Sequence, residues 1–162
     1  MHCFRMMFFH SKRLPTNRLI LVSGPKLHIE WRREKRRILL PVLIMPPFPV
    51  TDLSGAEALA LIDTGSSISG IAARVAKDLA LVRLGKRPLK SAQGEGRVER
   101  YAFRLGVQPG VGAKLSFPFV FDEVIGIELT NAFDFTALIG MDILSQCDFS
   151  TDRHGRCTLQ FG

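Results

Sequence analysis

Residues 58–67 have the sequence ALALIDTGSS, in which five apolar residues are followed by a carboxylate, a threonine, a glycine and two serines. A strand built from the apolar residues would place Asp63 at its end, where a buried core opens into a turn. Gly65 allows that turn to be tight because it has no Cβ. The neighbouring hydroxyl groups can orient a carboxylate by hydrogen bonding. The stretch therefore predicts a strand that ends in a positioned carboxylate.

A second apolar strand ends at a glycine much later in the chain. Residues 136–144 have the sequence TALIGMDIL, which predicts a strand over 136–139 followed by a short helix over 142–146. An isolated Asp-Thr-Gly is also typical of surface turns, since Asp and Gly are common turn formers. The apolar run before the triplet and the Ser-Ser-Ile after it argue against a polar surface loop.

Together these two stretches resemble the two signatures of retropepsin-like aspartic proteases, the retroviral-type, single-domain branch of that class. The resemblance covers about residues 36–162. It implies a mainly β fold, namely a single-domain closed β-barrel with a flap hairpin and one or two short helices. It also implies a catalytic Asp63, a strand ending at Ile139 and Gly140 that packs beneath the catalytic turn, and turn support from Thr64, Gly65 and Ser66. The Ser66 hydroxyl would bond the outer carboxylate oxygen.

The sequence contains one Asp-Thr-Gly and no Asp-Ser-Gly. Pepsin-like enzymes carry two such turns in one chain of roughly double length, beyond the usual size of a single core. The resemblance therefore implies a two-fold symmetric homodimer in which each subunit supplies one Asp63. The final predicted strand, Cys157–Phe161, resembles the C-terminal strand of the family, which interleaves with that of its partner.

Residues 89–103 predict a β-hairpin with two glycines at its tip. An ordinary solvent-exposed hairpin would have the same pattern. By resemblance it is the flap, and backbone groups near Gly94, Glu95 and Gly96 would hydrogen-bond an extended peptide substrate. The tip is more polar and less glycine-rich than retroviral flaps.

The net charge of +7 belongs to an N-terminal arm. Residues 1–37 hold ten Lys or Arg and two Glu, a net of +8, whereas residues 38–162 hold twelve against thirteen acidic residues, a net of −1. We predict a basic arm over 1–35, disordered or partly a strand, before a protease-like domain over 36–162. The arm could also be a propeptide, a transit peptide or sequence upstream of the true start. Contact of the arm with nucleic acid or membrane is a further alternative, although its charge run is more typical of a solvated turn.

The remaining elements are predicted from periodicity. Apolar residues at i, i+4 and i+8 predict an amphipathic helix over 71–81. Alternation or apolar runs predict strands over 26–31, 38–44, 57–62, 103–107, 114–121 and 123–129, with a turn at Pro109-Gly110.

Three cysteines with no Cys-x-x-Cys pair indicate a reducing compartment, and we expect a cytoplasmic protein. The sequence has no run of eighteen or more apolar residues, so we predict no transmembrane helix. The four histidines do not cluster with one another or with the cysteines at ligand spacing. We therefore predict neither a metal site nor a cofactor.

Two functions from different classes follow from the resemblance. The first is an aspartic endopeptidase, in which two facing Asp63 carboxylates share one proton and activate a water molecule, as in known aspartic-protease dyads. The alternative is a retropepsin-fold dimerisation or peptide-binding module with weak or no catalysis, because a fold does not guarantee its chemistry.

Overall fold

The computed structural model describes residues 27–33, 36–91, 94–107 and 118–161. These residues form a mainly β domain with ten strands and two short helices. The elements, in chain order, are β1 (Leu27–Arg32), β2 (Leu39–Met45), β3 (Ala56–Ile62), β4 (Gly70–Ala72), α1 (Ala73–Asp78), β5 (Arg83–Ser91), β6 (Gly94–Val107), β7 (Phe119–Leu129), β8 (Ala137–Ile139), α2 (Met141–Leu144), β9 (Asp148–Thr151) and β10 (Arg156–Phe161).

Two antiparallel strands begin the main sheet and lead to Asp63. Leu40, Val42 and Ile44 of β2 alternate into the core, as the period of a half-buried strand requires. Pro41 is exposed between them, opposite Leu59 of β3. The chain returns as β3, so that the hairpin delivers Asp63 to the end of a core strand.

Seven strands form the main sheet in the order β2-β3-β8-β4-β7-β6-β5. β8 runs parallel to β3, and β4 runs parallel to β7, whereas the other pairs are antiparallel. β2 also pairs with β6, from Val42 opposite Val107 to Met45 opposite Arg104. The long strand β6 therefore contacts three other strands.

Three strands form a second sheet in the order β1-β10-β9. Its central strand joins the core through Phe161, whose ring stacks on Phe119 with 4.3 Å between ring centroids. Both neighbours of β10 are strands of its own chain. The structure thus differs from the expectation that this C-terminal strand interleaves with that of a partner.

The predicted helix over 71–81 is too long at both ends. Ile71 and Ala72 belong to β4, because this short strand fills the space between β7 and β8. Ile71 is fully buried there, and its β-branched side chain favours a strand. The helix ends at Asp78, and Ala80 then adopts a left-handed φ of +50° that stops further helix formation.

The two strands predicted over 114–121 and 123–129 also need correction. Residues 119–129 form one continuous strand, β7, and exposed Asp122 and Glu123 lie within it. Its register with β6 shifts between Phe103 and Leu105, as at a β-bulge. The turn at Pro109-Gly110, residues 114–117 and most of the N-terminal arm lie outside the described residues.

The arm predicted over 1–35 includes β1. Residues 27–32 of this arm pair along their length with β10, from Leu27 opposite Phe161 to Arg32 opposite Arg156. Ile29 is buried in the core cluster, and Trp31 packs against it. The strand predicted over 26–31 is therefore present at 27–32.

Candidate active site

The turn that carries Asp63 is anchored to two neighbouring strands. Ile62 lies opposite Ile139 in the parallel pair of β3 and β8. The backbone N–H of Asp63 continues this pairing and donates to the carbonyl of Ile139 at 3.0 Å. On the other side, the N–H of Ile62 donates to the carbonyl of Ile38 at 2.9 Å. The position of the carboxylate is thus fixed by core strands and not by a free loop.

The turn itself is built around the carboxylate of Asp63. The N–H of Gly65 donates to Oδ1 of Asp63 at 2.9 Å, and the N–H of Ser66 donates to the Asp63 carbonyl at 3.2 Å. A Cβ at position 65 would lie 3.2 Å from the same Oδ1 atom, closer than ordinary van der Waals contact. Gly65 therefore leaves room for a carboxylate that is partly exposed and held by a backbone donor.

Ser66 supports the turn differently from the expectation. Its hydroxyl donates to the carbonyl of Ile68 at 2.8 Å and accepts from the N–H of Ile68 at 3.4 Å, so it closes the loop and does not bond the carboxylate. The carbonyl of Ser66 accepts from the N–H of Met141 at 2.8 Å. This bond ties the turn to the start of α2. Thr64 is exposed at the tip of the turn.

Gly140 lies where β8 passes beneath the loop. A Cβ at this position would lie 2.7 Å from the carbonyl carbon of Ile68 and 2.8 Å from its oxygen. Backbone atoms cannot move away from such a contact without shifting the loop. A glycine is thus required here, and the predicted packing of Ile139 and Gly140 against the turn is present in the structure.

Ser69 and Asp142, whose pairing the sequence did not predict, lock the loop to α2. Ser69 is 0% exposed, and its hydroxyl donates to Oδ1 of Asp142 at 2.7 Å and accepts from the N–H of Gly140 at 3.1 Å. The N–H of Ser69 donates to Oδ2 of Asp142 at 3.0 Å. Asp142 thus acts as a structural acceptor at the start of α2, with both oxygens occupied. Its place in the first turn of a predicted helix was the only local signal for this role.

The predicted flap residues lie on the hairpin of β5 and β6. Gly94, Glu95 and Gly96 begin β6, opposite Ser91, Lys90 and Leu89. Gly94 and Gly96 therefore lie within the second strand of the hairpin. Residues 92–93 lie outside the described residues. Gly94 has a φ of +128°, a conformation that favours glycine next to the connection.

The hairpin and the candidate turn are linked through β7. Arg100 of β6 and Gly70 of β4 lie on opposite sides of Ile127. The N–H of Ile127 also donates to the carbonyl of Ser69 at 2.9 Å, at the end of the loop that follows Asp63. The base of the hairpin is therefore two strands away from this loop, about 10 Å in a regular sheet.

Two ionisable groups near these elements have raised pKa values. Burial raises the pKa of Tyr101, and the carboxylate of Glu128 adds to this effect by accepting from the Tyr101 hydroxyl at 2.6 Å. Burial, with a smaller contribution from the charge of Asp148, raises the pKa of the Cys147 thiol to about 12. The Cys147 thiol is thus protonated at neutral pH and is not a candidate nucleophile.

The described part of the chain contains no group of three or more His, Cys, Asp or Glu side chains placed to hold a metal ion. Within the same residues, neither helix is long and apolar enough to cross a membrane.

No protein-family model and no curated protein sequence matches the chain. Among solved structures, a retropepsin-like aspartic protease from Rickettsia conorii is similar over 84% of this chain and 92% of its own, with 16% sequence identity and a TM-score of 0.59. The simian foamy virus (mac) protease is similar over 67% of this chain and 92% of its own, with 17% identity and a TM-score of 0.41. The sheet order, the packing of Gly140 beneath the loop after Asp63 and the likeness to the Rickettsia protease all indicate the same fold. This protein has a retropepsin-like fold.

Proposed function

We propose that the protein is an aspartic endopeptidase that acts as a homodimer. The observation that carries this proposal is the Asp63 turn, in which a partly exposed carboxylate accepts a backbone N–H and is held between core strands. A carboxylate fixed in this way meets the need of general acid–base chemistry for a positioned group. The Rickettsia conorii retropepsin-like aspartic protease, with which the chain shares its fold, adds support.

The second carboxylate would come from a second copy of the chain. Asp142, the other carboxylate at this loop, has both oxygens occupied by Ser69 and is therefore unavailable for catalysis. Across a two-fold axis, two Asp63 carboxylates would share one proton, because two adjacent negative charges are costly. The ionised carboxylate would activate a water molecule, and the protonated one would polarise the peptide carbonyl.

Exposed groups beside the turn are suitable for contact with such a second copy. Met141 is 41% exposed although its N–H is bonded to the turn, and Thr64 is exposed at the tip. An exposed apolar side chain at the start of α2, which is tied to the turn, would be covered in a dimer, and its burial would stabilise association. The pairing of β2, one end of the sheet, with β6, its penultimate strand, likewise supports the closed barrel of this fold.

The β5–β6 hairpin would cover the substrate. Backbone groups around Gly94, Glu95 and Gly96 would pair with an extended peptide as with an added strand. The hairpin projects from the sheet beyond Arg100, the last of its residues paired with β7.

The alternative function is a dimerisation or peptide-binding module without useful catalysis. The observation that favours it is the intramolecular pairing of β10, which leaves this strand no free edge for a partner. A chain that dimerised elsewhere could hold its two Asp63 side chains apart and bind peptides without cleaving them.

Cleavage of a peptide library from acid to neutral pH by the wild type and by Asp63→Asn tests the proposal. We expect Asp63→Asn to lose cleavage by at least about a hundredfold, because the general acid–base pair is lost. Asp122→Asn is the matched control, since Asp122 is exposed on β7 and makes the same charge change. Sedimentation of each variant shows whether the dimer persists.

Two outcomes would decide against the endopeptidase. One is cleavage that survives in Asp63→Asn, which would point to a contaminating protease. The other is a folded wild-type dimer that binds but does not cleave any peptide, which would favour the binding module.

A further inference from the structure

Positive charge is concentrated on the β5–β6 hairpin. Residues 83–100 contain six Lys or Arg and two Glu, a net of +4. The rest of residues 38–162 contains six Lys or Arg against eleven acidic residues, a net of −5. Within residues 38–162, a basic hairpin on an otherwise acidic segment attracts anionic groups to this part of the surface.

One face of the hairpin carries an ordered row of charges. Residues directly opposite one another on antiparallel strands project from the same face. Lys90 lies opposite Glu95, Pro88 opposite Arg97, and Lys86 opposite Glu99. Because side chains alternate along β6, all six belong to one face.

This charged face is a continuation of the core face of the sheet. Two and four residues beyond Glu99 on β6, Tyr101 and Phe103 are 3% and 0% exposed in the core. The Glu99 side chain is 15% exposed, and Arg97 is exposed. The same face thus leaves the core and becomes accessible along the hairpin.

Arg97 is the unpaired charge in this row. Lys90 pairs with Glu95 at 2.8 Å, and Lys86 lies 3.8 Å from Glu99, so both glutamates have a cation. Arg97 lies between these pairs, opposite uncharged Pro88. Among residues 27–33, 36–91, 94–107 and 118–161, no side chain forms an ion pair or hydrogen bond with it. Its guanidinium is thus available to bind a carboxylate with two donors.

We propose that Arg97 makes this site select peptides with an acidic side chain at one position. The inference rests on the proposed function, in which the hairpin covers an extended peptide. Such a peptide presents alternate side chains to the hairpin, and its Asp or Glu would meet the Arg97 guanidinium. The substrate class is therefore an extended peptide with a carboxylate opposite Arg97.

Peptide binding to Asp63→Asn tests this selection without cleavage. The probes are fluorescein-labelled decapeptide pools in which each position in turn is fixed as Glu, Ala or Lys. At one position, we expect the Glu pool to bind about three- to fivefold more tightly than the Ala pool, as for a partly exposed ion pair. The Lys pool should bind more weakly than either.

Charge reversal identifies the residue responsible. Arg97→Glu, made in the Asp63→Asn background, should reverse the preference to the Lys pool, and Arg97→Gln should make the Glu and Ala pools equal. Arg74→Glu is the control, because Arg74 is exposed on α1 and gives the same change in net charge. The control should keep the preference for Glu.

Equal binding of the three pools by Asp63→Asn, or a Glu preference that survives in folded Arg97→Glu, would overturn the inference. Cleavage by the protein with Asp63 intact is measured separately. Charge-selective binding without any cleavage would reject the endopeptidase and keep the role of Arg97. Cleavage without charge selection would keep the endopeptidase and reject the role of Arg97.

Discussion

Ser69 connects the loop after Asp63 to α2 through one buried hydroxyl. The hydroxyl accepts from the N–H of Gly140, which has no other partner among the described residues, and donates to Oδ1 of Asp142, which also accepts from the N–H of Ile143. Buried polar groups are costly when they lose their hydrogen bonds. This makes Ser69 a positioning residue for the candidate turn, because it lies six positions after Asp63 and directly precedes Gly70, the first residue of β4.

We predict that Ser69→Ala lowers the free energy of unfolding by about 1–3 kcal/mol, because it leaves the N–H of Gly140 and one oxygen of Asp142 without this partner. Urea unfolding of the two proteins measures the change. Ser150→Ala is the control, since its hydroxyl bonds Thr158 on the exposed surface and should cost less than about 0.5 kcal/mol. Equal losses in both variants would show that the buried hydroxyl has no special role.

At the scale of elements, a buried arginine holds the loop that joins β2 to β3. Arg104 of β6 is 3% exposed, and its guanidinium donates to the carbonyls of Pro46 at 2.8 Å, Thr51 at 3.5 Å and Asp52 at 2.6 Å. It also lies 5.6 Å from the centre of the Phe48 ring. All three hydrogen-bond acceptors are backbone carbonyls, so the arginine fixes the path of the loop. The second strand of this hairpin, β3, ends at Ile62 and leads directly to Asp63.

We predict that Arg104→Met destabilises the protein by about 2–4 kcal/mol, because three loop carbonyls lose a charged donor while the apolar stem is kept. Hydrogen exchange should rise in residues 46–55 more than elsewhere. Arg74→Met, on the exposed face of α1, serves as the control and should change little. Unchanged exchange in the loop of Arg104→Met would contradict this role of the guanidinium.

At the scale of the whole molecule, the two ends of the described chain meet in one sheet. β1 comes from the segment that the sequence assigned to the arm, yet it covers one edge of β10 while β9 covers the other. An uncovered strand edge is a ready site for pairing with another chain. β1 therefore influences both stability and self-association.

We predict that Ile29→Ala destabilises the protein by about 2–4 kcal/mol, because Ile29 is 3% exposed and its loss leaves a cavity between the sheets. His28→Ala, an exposed neighbour on the same strand, should change the stability by less than about 0.5 kcal/mol. Thermal unfolding measures both.

Removal of residues 1–35, which deletes β1, tests the contribution of the whole strand to stability. We expect a protein of residues 36–162 to lose more stability than Ile29→Ala and to self-associate through the open edge of β10. If it unfolds at the same temperature as the full chain, then β1 does not belong to the folded unit.

The elements that the sequence predicted well are those with strong local patterns. The strand before Asp63, the turn itself and the strand ending at Ile139-Gly140 depend on consecutive residues, and all three are present in the structure. The helix over 71–81 was predicted too long because Ile71 fits both a helical face and a strand, and only the space between β7 and β8 decides between them.

Local apolar patterns and a short motif were enough to predict the candidate carboxylate, the mainly β fold class and the position of the hairpin along the chain. Tertiary structure decided the rest. Ser69 meets Asp142 across 73 positions of sequence, Arg104 reaches Asp52 across 52, and Arg97 shares a face with two neutralised lysine–glutamate pairs. Such contacts form only when strand pairing and chain reversal bring distant residues together. A local pattern of residues does not specify which distant groups will meet.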